Sequence, residues 1–160
     1  MSSAFPSANY DIRQAGNCYA VQANTGAIFH LMRVAEHGLR ALARDRRVRV
    51  PRGTVEFATW EEILKEIQKA VEAIDQYPRR DARDAQYEFY HGAMMEFRSF
   101  KNVWRNTRMH TRGPSNEDDE RREAERVMQR VGDFMKILAA AISENKRTPI
   151  IWKRAYNRTA

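Results

Sequence analysis

The residues best suited to chemistry lie in the segment from Ser99 to His110. At about 100° of rotation per helical residue, Asn102, Asn106 and His110 fall on one line, and Ser99 extends that line by a turn. This uncharged polar stripe lies opposite an aromatic face, which is typical of neither a hydrophobic core nor a charged solvent face. The pattern indicates a helix surface that faces something polar and specific.

His110 and the arginines beside the stripe suit metal-free cleavage of RNA. An imidazole, with an ordinary pKa of about 6.5, can take the proton of an attacking 2′-hydroxyl or protonate the leaving oxygen. Arg105 and Arg108 flank the stripe, and a guanidinium fork can stabilise the charge that builds on the phosphorane oxygens. If the reaction requires a separate acid and base, a second copy across a twofold axis is the economical source of the second imidazole. The pattern therefore favours a homodimer joined through the Arg105–His110 region.

The spacing of Arg105 and His110 leaves three geometries open. The two residues lie about 140° apart around an ideal helix, so they do not share a face. Arg105 reaches around the helix, or the helix end unwinds at Met109, or the working pair comes from two subunits. The purely structural alternative is a helix C-terminus whose cationic residues complement its dipole.

The composition excludes several classes of protein. The chain has 160 residues, 42% of them hydrophobic and 31% charged, which predicts one globular domain over 1–160. No apolar run reaches the roughly 18 residues that a membrane span needs, and the first residues lack the features of a signal peptide, so we expect a cytoplasmic protein without a membrane partner. The single cysteine, Cys18, excludes an intrachain disulfide and a cysteine-based zinc site. Phosphate-loop, dinucleotide and metalloprotease motifs are absent, so no cofactor is expected.

The charge is strongly basic and unevenly distributed. The net charge is +7, and arginine supplies 22 of the 28 basic residues. Residues 78–113, around the polar stripe, carry +4, and the tail at 145–160 carries +5. Arginine suits forked phosphate contacts, so the pattern is compatible with an RNA partner, although a solvated surface would look much the same. Aromatic and basic residues alternate from Ile150 to Arg158, as in single-strand binders, but packing of this tail on the domain is the preferred interpretation.

Helical periodicity predicts an all-α fold, an antiparallel up-and-down bundle of about four long helices with its core over about 9–144. The first helix is expected over about 9–45, with Gly16 and Gly26 as weak points, and its buried stripe would contain Val21, Ile28, Met32, Ala35, Leu39 and Leu42. Pro51 and Gly53 predict a loop or minimal hairpin near 46–58.

Three further helices follow. Thr59 and Glu62 form a capping box that opens the second helix, which should stop before Pro78. The third helix is expected from about Asp84 to Met109. Ser115 with Asp118 would cap the fourth. The expected core positions are Trp60, Ile63, Leu64, Ile67, Val71 and Ile74 in the second helix, Tyr90, Ala93, Phe97, Phe100 and Trp104 in the third, and Ala124, Val127, Met128, Val131, Met135, Leu138 and Ile142 in the fourth.

The other histidines offer a weaker site. His30 and His37 lie two turns apart on one face, too far apart to ligate one metal ion unless another helix contributes, for example through His91. Interhelical or surface hydrogen bonds are the preferred interpretation, and no metal is expected.

Three segments resemble one known family, the prokaryotic HEPN domains. The family signature is Arg, usually a polar residue, and then His after four to six intervening positions, and it stands here as Arg105-Asn106-Thr107-Arg108-Met109-His110. Two stretches are similar to one HEPN subgroup, Ile28 to Glu36 in the first helix and Thr59 to Leu64 at the start of the second. The match extends over about residues 15–142 in order and spacing.

The resemblance implies a dimeric helical bundle with an RNA-binding cleft between the signature helices. Many HEPN proteins are metal-independent endoribonucleases of toxin–antitoxin or phage-defence systems that leave 2′,3′-cyclic phosphate and 5′-hydroxyl ends. By this resemblance, Arg105 would stabilise the phosphorane, His110 would act as acid or base, and Asn106 would orient His110 or the phosphate. Arg33 and Glu36 would brace the site from behind, or would simply form an intrahelical ion pair.

Asn102, Arg108 and Arg112 are the expected RNA contacts around this catalytic set. Arg112 stands where some toxins paired with a nucleotidyltransferase carry tyrosine, so that mode of regulation is not expected, although an antitoxin partner is. Two alternatives remain open. The protein could be a non-catalytic HEPN module that binds RNA or a nucleotide, or a structural helical adaptor.

Overall fold

The computed structural model describes residues 3–51, 53–108 and 116–146, and only the backbone of 103–108. After a short 3-10 turn at Pro6–Ala8, the chain forms five α-helices: α1 (Asn9–Ala20), α2 (Asn24–Asp45), α3 (Trp60–Asp75), α4 (Asp81–Arg108) and α5 (Glu117–Ala141). No β-strand occurs among the described residues, which contain one isolated bridge between Ser143 and Lys146. The all-α class predicted from the sequence is confirmed.

The first predicted helix is two helices joined by a tight turn, so the prediction of one helix over 9–45 is wrong. Gln22 adopts a left-handed φ of 60°, and the Ala23 amide donates to the Cys18 carbonyl at 2.8 Å, which closes the turn. Val21 is 75% exposed in this turn instead of lying in the core. The break therefore falls between the two glycines that were expected to weaken the helix, and the other residues of the predicted stripe are buried.

Helices α1 and α2 pack against each other as an antiparallel hairpin. Near the turn, a Cβ added at Gly26 would lie 3.1 Å from the Cys18 sulfur, and at the far end Asp11 of α1 contacts His37 of α2. The absence of a side chain at Gly26 thus permits the close approach of the two helices beside their turn.

The connection from α2 to α3 doubles back along α2. The Arg40 side chain donates to the Glu56 carbonyl at 3.1 Å, and Arg44 pairs with the Glu56 carboxylate. Val50, Val55 and Ala58 are buried beneath it. Its described residues form turns and bends, so the loop predicted near 46–58 is confirmed and the alternative of a minimal hairpin is wrong.

Helix α3 begins at the predicted capping box. Thr59 accepts from the Glu62 amide at 3.3 Å, while the Glu62 carboxylate accepts from the Thr59 amide at 2.7 Å. The helix ends at Asp75, before Pro78 as predicted. The predicted core positions of α3 after Trp60 are fully buried, and Trp60 packs edge-on to Phe97 of α4.

Helices α3 and α4 run antiparallel. Lys101 pairs with Glu61 at one end of the two helices, and Arg83 pairs with Asp75 at the other. Helix α4 begins three residues before the predicted Asp84, and its expected core residues from Tyr90 to Phe100 are buried. Trp104 and Met109 lie outside the described side chains.

Helix α5 completes the core and runs parallel to α2. Glu125 accepts a hydrogen bond from Tyr19 beside the α1–α2 turn, whereas a Cβ at Gly38 would lie 2.7 Å from the Met135 sulfur ten residues further along α5. Asn116, not Ser115, caps the helix, because its side chain accepts from the Asp118 amide at 3.1 Å. The predicted core positions of α5 are buried, with Met128 partly so, and the buried residues of all five helices form one cluster.

Candidate functional site

Two of the three predicted catalytic residues, Arg105 and Asn106, belong to the end of α4. The backbone places Arg105, Asn106 and Arg108 in the final turns of this helix, which is described as far as Arg108. Their side chains, together with His110 and Arg112, lie outside the described residues. The contacts among these groups therefore stay a prediction.

In the described part of the polar stripe, Ser99 forms a contact within the chain. Ser99 accepts a hydrogen bond from Arg130 of α5 at 2.8 Å, and the same guanidinium contacts Glu96 at 2.7 Å and lies over the Phe100 ring. Asn102, one turn further along, is exposed. Asn102 is thus the exposed residue of the stripe within the described side chains.

The part of α4 that follows Glu88 is poor in exposed charge as far as Asn102. Between Phe89 and Asn102, the exposed positions are His91, Gly92, Met95 and Asn102, and none is an aspartate, glutamate, lysine or arginine. Met95 is 48% exposed. We call this surface the α4 face. At helical spacing, the α4 face lies on the same side of the helix as Asn106 and so leads directly to the signature.

A second cluster of histidine and arginine side chains surrounds one buried carboxylate. Asp11 of α1 is 2% exposed. One of its oxygens lies 2.8 Å from His30 Nδ1 and 2.9 Å from Arg33 Nε, and the other lies 3.3 Å from His37 Nε2. We call these four residues the Asp11 cluster. It joins α1 to three successive turns of α2.

The Asp11 carboxylate is stabilised in its charged form. Burial by itself would raise the pKa of Asp11, but hydrogen bonds from His30 and Arg33 and the Arg33 charge hold this pKa below its ordinary value of 3.8. A carboxylate accepts hydrogen bonds only, so Asp11 fixes both imidazoles through their N–H groups.

The cluster continues to both ends of the described chain. His37 Nδ1 lies 2.9 Å from the Ser7 hydroxyl, which also hydrogen-bonds to Glu144 beyond α5. The Ser7 amide donates to the same carboxylate at 3.2 Å, and the Glu144 amide donates to the Ala4 carbonyl at 2.9 Å. These contacts fasten the N-terminal segment across the C-terminal ends of α2 and α5.

Arg33 and Glu36 pair with different residues in the structure. Arg33 donates to Asp11, whereas Glu36 accepts from Arg40 at 2.6 Å. The interpretation of Arg33 and Glu36 as an intrahelical ion pair is therefore wrong, because the buried Asp11 provides Arg33 with a partner from another helix.

The structure favours hydrogen-bonding histidines over a shared metal site. His30 and His37 meet through Asp11, and His91 instead stacks on Tyr87 at 5.5 Å between ring centroids. In the ranges that the structure describes, no group of three histidine, cysteine, aspartate or glutamate side chains is placed to hold a metal ion.

Asp11 and the aromatic residues around its cluster were not among the residues predicted from the sequence. Tyr10 and Phe29 both contact the His30 ring, with centroids 6.3 Å and 5.5 Å away. A signal for Asp11 was present, because it is the only acidic residue before Glu36, while His30 and His37 share one helix face. The turn at Gln22, which was not predicted, brings the Asp11 carboxylate against the face of α2 that carries the two histidines.

None of the described helices combines the length and the apolar character required to span a membrane. The aromatic and basic residues of the tail, from Ile150 to Arg158, lie outside the described residues.

Comparison with known proteins gives no significant match: no protein-family model, no curated protein and no solved structure matches this chain.

Proposed function

We propose that this chain is a metal-independent endoribonuclease of HEPN type that acts as a homodimer on single-stranded or loop RNA, in a toxin–antitoxin or phage-defence setting. The observation that carries the proposal is the Arg105–His110 signature, which begins in the last turns of a long helix whose exposed positions from Phe89 to Asn102 are uncharged. Exposed positions without charge suit burial against a second copy, since these positions carry no charge that burial would desolvate.

The sequence around the signature supports an anionic substrate. Residues 97–116 contain five basic residues and no acidic one. Two of the five reach back to α3, where Lys101 pairs with Glu61 and Arg98 donates to Gln68. The segment therefore has no carboxylate of its own to compete with a phosphate for the remaining arginines.

In the proposed step, the 2′ oxygen of a ribose attacks the adjacent phosphorus. The bond from phosphorus to the 2′ oxygen forms and the bond to the 5′ oxygen breaks, which leaves a 2′,3′-cyclic phosphate and a 5′-hydroxyl. One His110 imidazole takes the 2′-hydroxyl proton, and His110 of the second copy protonates the leaving 5′ oxygen. Arg105 stabilises the charge on the phosphorane, and Asn106 orients the imidazole or the phosphate.

Cleavage of a labelled single-stranded RNA in excess EDTA tests this function. The purified full chain should cut the RNA, and His110→Ala should lower the rate by about 100-fold or more, which is typical of the loss of a general acid or base. Arg79→Ala serves as the control, because this exposed arginine lies before α4 and far along the chain from the signature. Cleavage that needs Mg²⁺, or that survives in His110→Ala, contradicts the mechanism.

The same assay separates the two other functions. Salt-dependent RNA binding without a cyclic-phosphate product would identify a non-catalytic binding module. If the chain neither binds nor cleaves RNA, a structural helical adaptor is the remaining function of the three.

A further inference from the structure

The outer surface of the α1–α2 hairpin is cationic and aromatic, with no exposed carboxylate. Asp11 is the only acidic residue before Glu36, and it is buried. Arg13 of α1 is exposed, and the Arg33 side chain of α2 is 48% exposed. None of the exposed positions of α1 and α2 is acidic, and the half-buried Glu36, one turn after Arg33, is paired with Arg40.

Two large aromatic side chains stand on the same surface. Tyr10 is 57% exposed and Phe29 is 46% exposed, although each is large enough to stabilise a core. Both rings lie against His30, at interplanar angles of 74° and 79°. His30 thus links an aromatic residue of α1 to an aromatic residue of α2.

The Asp11 cluster holds this surface in place from below. Its carboxylate fixes the His30 ring through Nδ1 and fixes Arg33 through Nε. A guanidinium held through Nε keeps its two terminal nitrogens as donors for another partner. The buried carboxylate therefore orders the aromatic pair and a guanidinium before any ligand binds, which lowers the entropic cost of binding.

We propose that the outer face of the α1–α2 hairpin binds single-stranded RNA, with bases stacked on Tyr10 and Phe29 and phosphates contacted by Arg13 and Arg33. Exposed rings interleaved with arginines, without carboxylates, are the arrangement by which proteins bind single strands with little sequence preference. As a binding surface for the substrate strand, this assignment rests on the proposed RNA function, but it concerns different residues from the cleavage site.

Fluorescence anisotropy with a labelled single-stranded RNA tests the proposal, using the full chain with His110→Ala so that the RNA stays intact. Tyr10→Ala and Phe29→Ala should each weaken binding by about 10-fold, since the loss of one stacked base costs about 1–3 kcal/mol. Arg33→Ala should weaken binding and reduce its dependence on salt. Phe57→Ala is the matched control, because Phe57 is a 76% exposed aromatic residue of the α2–α3 loop and should bind like the parent.

The outcomes separate this proposal from the proposed function. Loss of binding in the Tyr10 and Phe29 variants supports the hairpin surface even if the unmodified chain cuts no RNA. Unchanged RNA binding in both variants, measured at a salt concentration where the parent binds, overturns it. If the same variants instead change the oligomeric state in sedimentation, a second copy covers this surface and the proposal is also overturned.

Discussion

The α1–α2 hairpin and the segment 97–116 both contain histidine and arginine, but only the hairpin has a carboxylate among them in its sequence. Asp11 holds His30, Arg33 and His37 within one buried cluster. The segment 97–116 holds His110 among basic residues and contains no acidic residue. In the hairpin these side chains order a surface around Asp11, whereas in our proposal those of the segment 97–116 contact a phosphate.

The largest expected effect concerns the arginine of the signature. Arg105→Ala should lower the rate of RNA cleavage by about 100-fold or more, because the phosphorane charge loses its forked donor. Arg105→Lys should recover only part of the rate, since an ammonium keeps the charge and loses the fork. Single-turnover cleavage assays measure both variants. Equal rates for Arg105→Ala and the parent would remove Arg105 from the mechanism.

A substitution at Asp11 in the α1–α2 hairpin should change the free energy of unfolding more than the rate of RNA cleavage. Asp11→Asn should lower the free energy of unfolding by about 2 kcal/mol, because charge-assisted hydrogen bonds are lost, with a discount for the solvent exposure of Arg33. Chemical denaturation measures this change. A variant as stable as the parent would show that the Asp11 cluster does not hold the hairpin together.

The contribution of Asp11 to the stability of the fold should decrease as the pH falls. Because its pKa is lowered in the folded protein, the carboxylate adds stability above its ordinary value of 3.8, and this stability is lost as the pH falls toward the folded-state pKa. The difference in unfolding free energy between the parent and Asp11→Asn should shrink below about pH 4, where the Asp11 carboxylate takes up a proton. A difference that grows as the pH falls below about 4 would contradict this assignment.

A charge introduced on the α4 face should weaken the association of two copies of the chain. Met95→Glu should weaken the dimer by about 10-fold or more, since it places a charge from each copy in the proposed interface. Ile137→Glu is the matched control, because Ile137 is a 62% exposed apolar residue of α5. Sedimentation analysis compares the two variants. Equal weakening by both substitutions, or by neither, would argue against an interface on the α4 face.

The smallest expected effect is at Gly92, where one substitution should stabilise the folded monomer and weaken the proposed dimer. A Cβ added there meets nothing within 4 Å inside the chain, so Gly92→Ala should stabilise the monomer by about 0.5–1 kcal/mol. The same methyl group would intrude on a helix packed against the α4 face and weaken the dimer. Gly16→Ala, with equally open surroundings in α1, should stabilise the monomer without affecting the dimer. Thermal melts and sedimentation together distinguish these outcomes.

Local patterns predicted most of the helices. The capping box at Thr59 and Glu62 places the start of α3, because both hydrogen bonds join residues three apart. Helical spacing gives the buried faces of α3 and α5 correctly. Such features depend on neighbours within one turn of helix, which the sequence shows directly.

Long-range contacts account for what the sequence did not show. The hydrophobic repeat continues through the turn at Gln22, so periodicity alone gave no reason to divide the helix there. Without that turn, Asp11 has no visible relation to His37, which follows 26 residues later. The signature at Arg105 was visible as a motif, but no local pattern fixes the geometry of its side chains.

The requirement for a 2′-hydroxyl tests the central claim most directly. A substrate RNA with one 2′-deoxy nucleotide placed immediately 5′ of the cleaved bond should remain uncut at that bond by the purified full chain in EDTA. The all-ribose strand should be cut there and should carry a 2′,3′-cyclic phosphate. Equal cleavage of the two strands at that bond would contradict attack by the 2′ oxygen, and with it the proposed function of the α4 end.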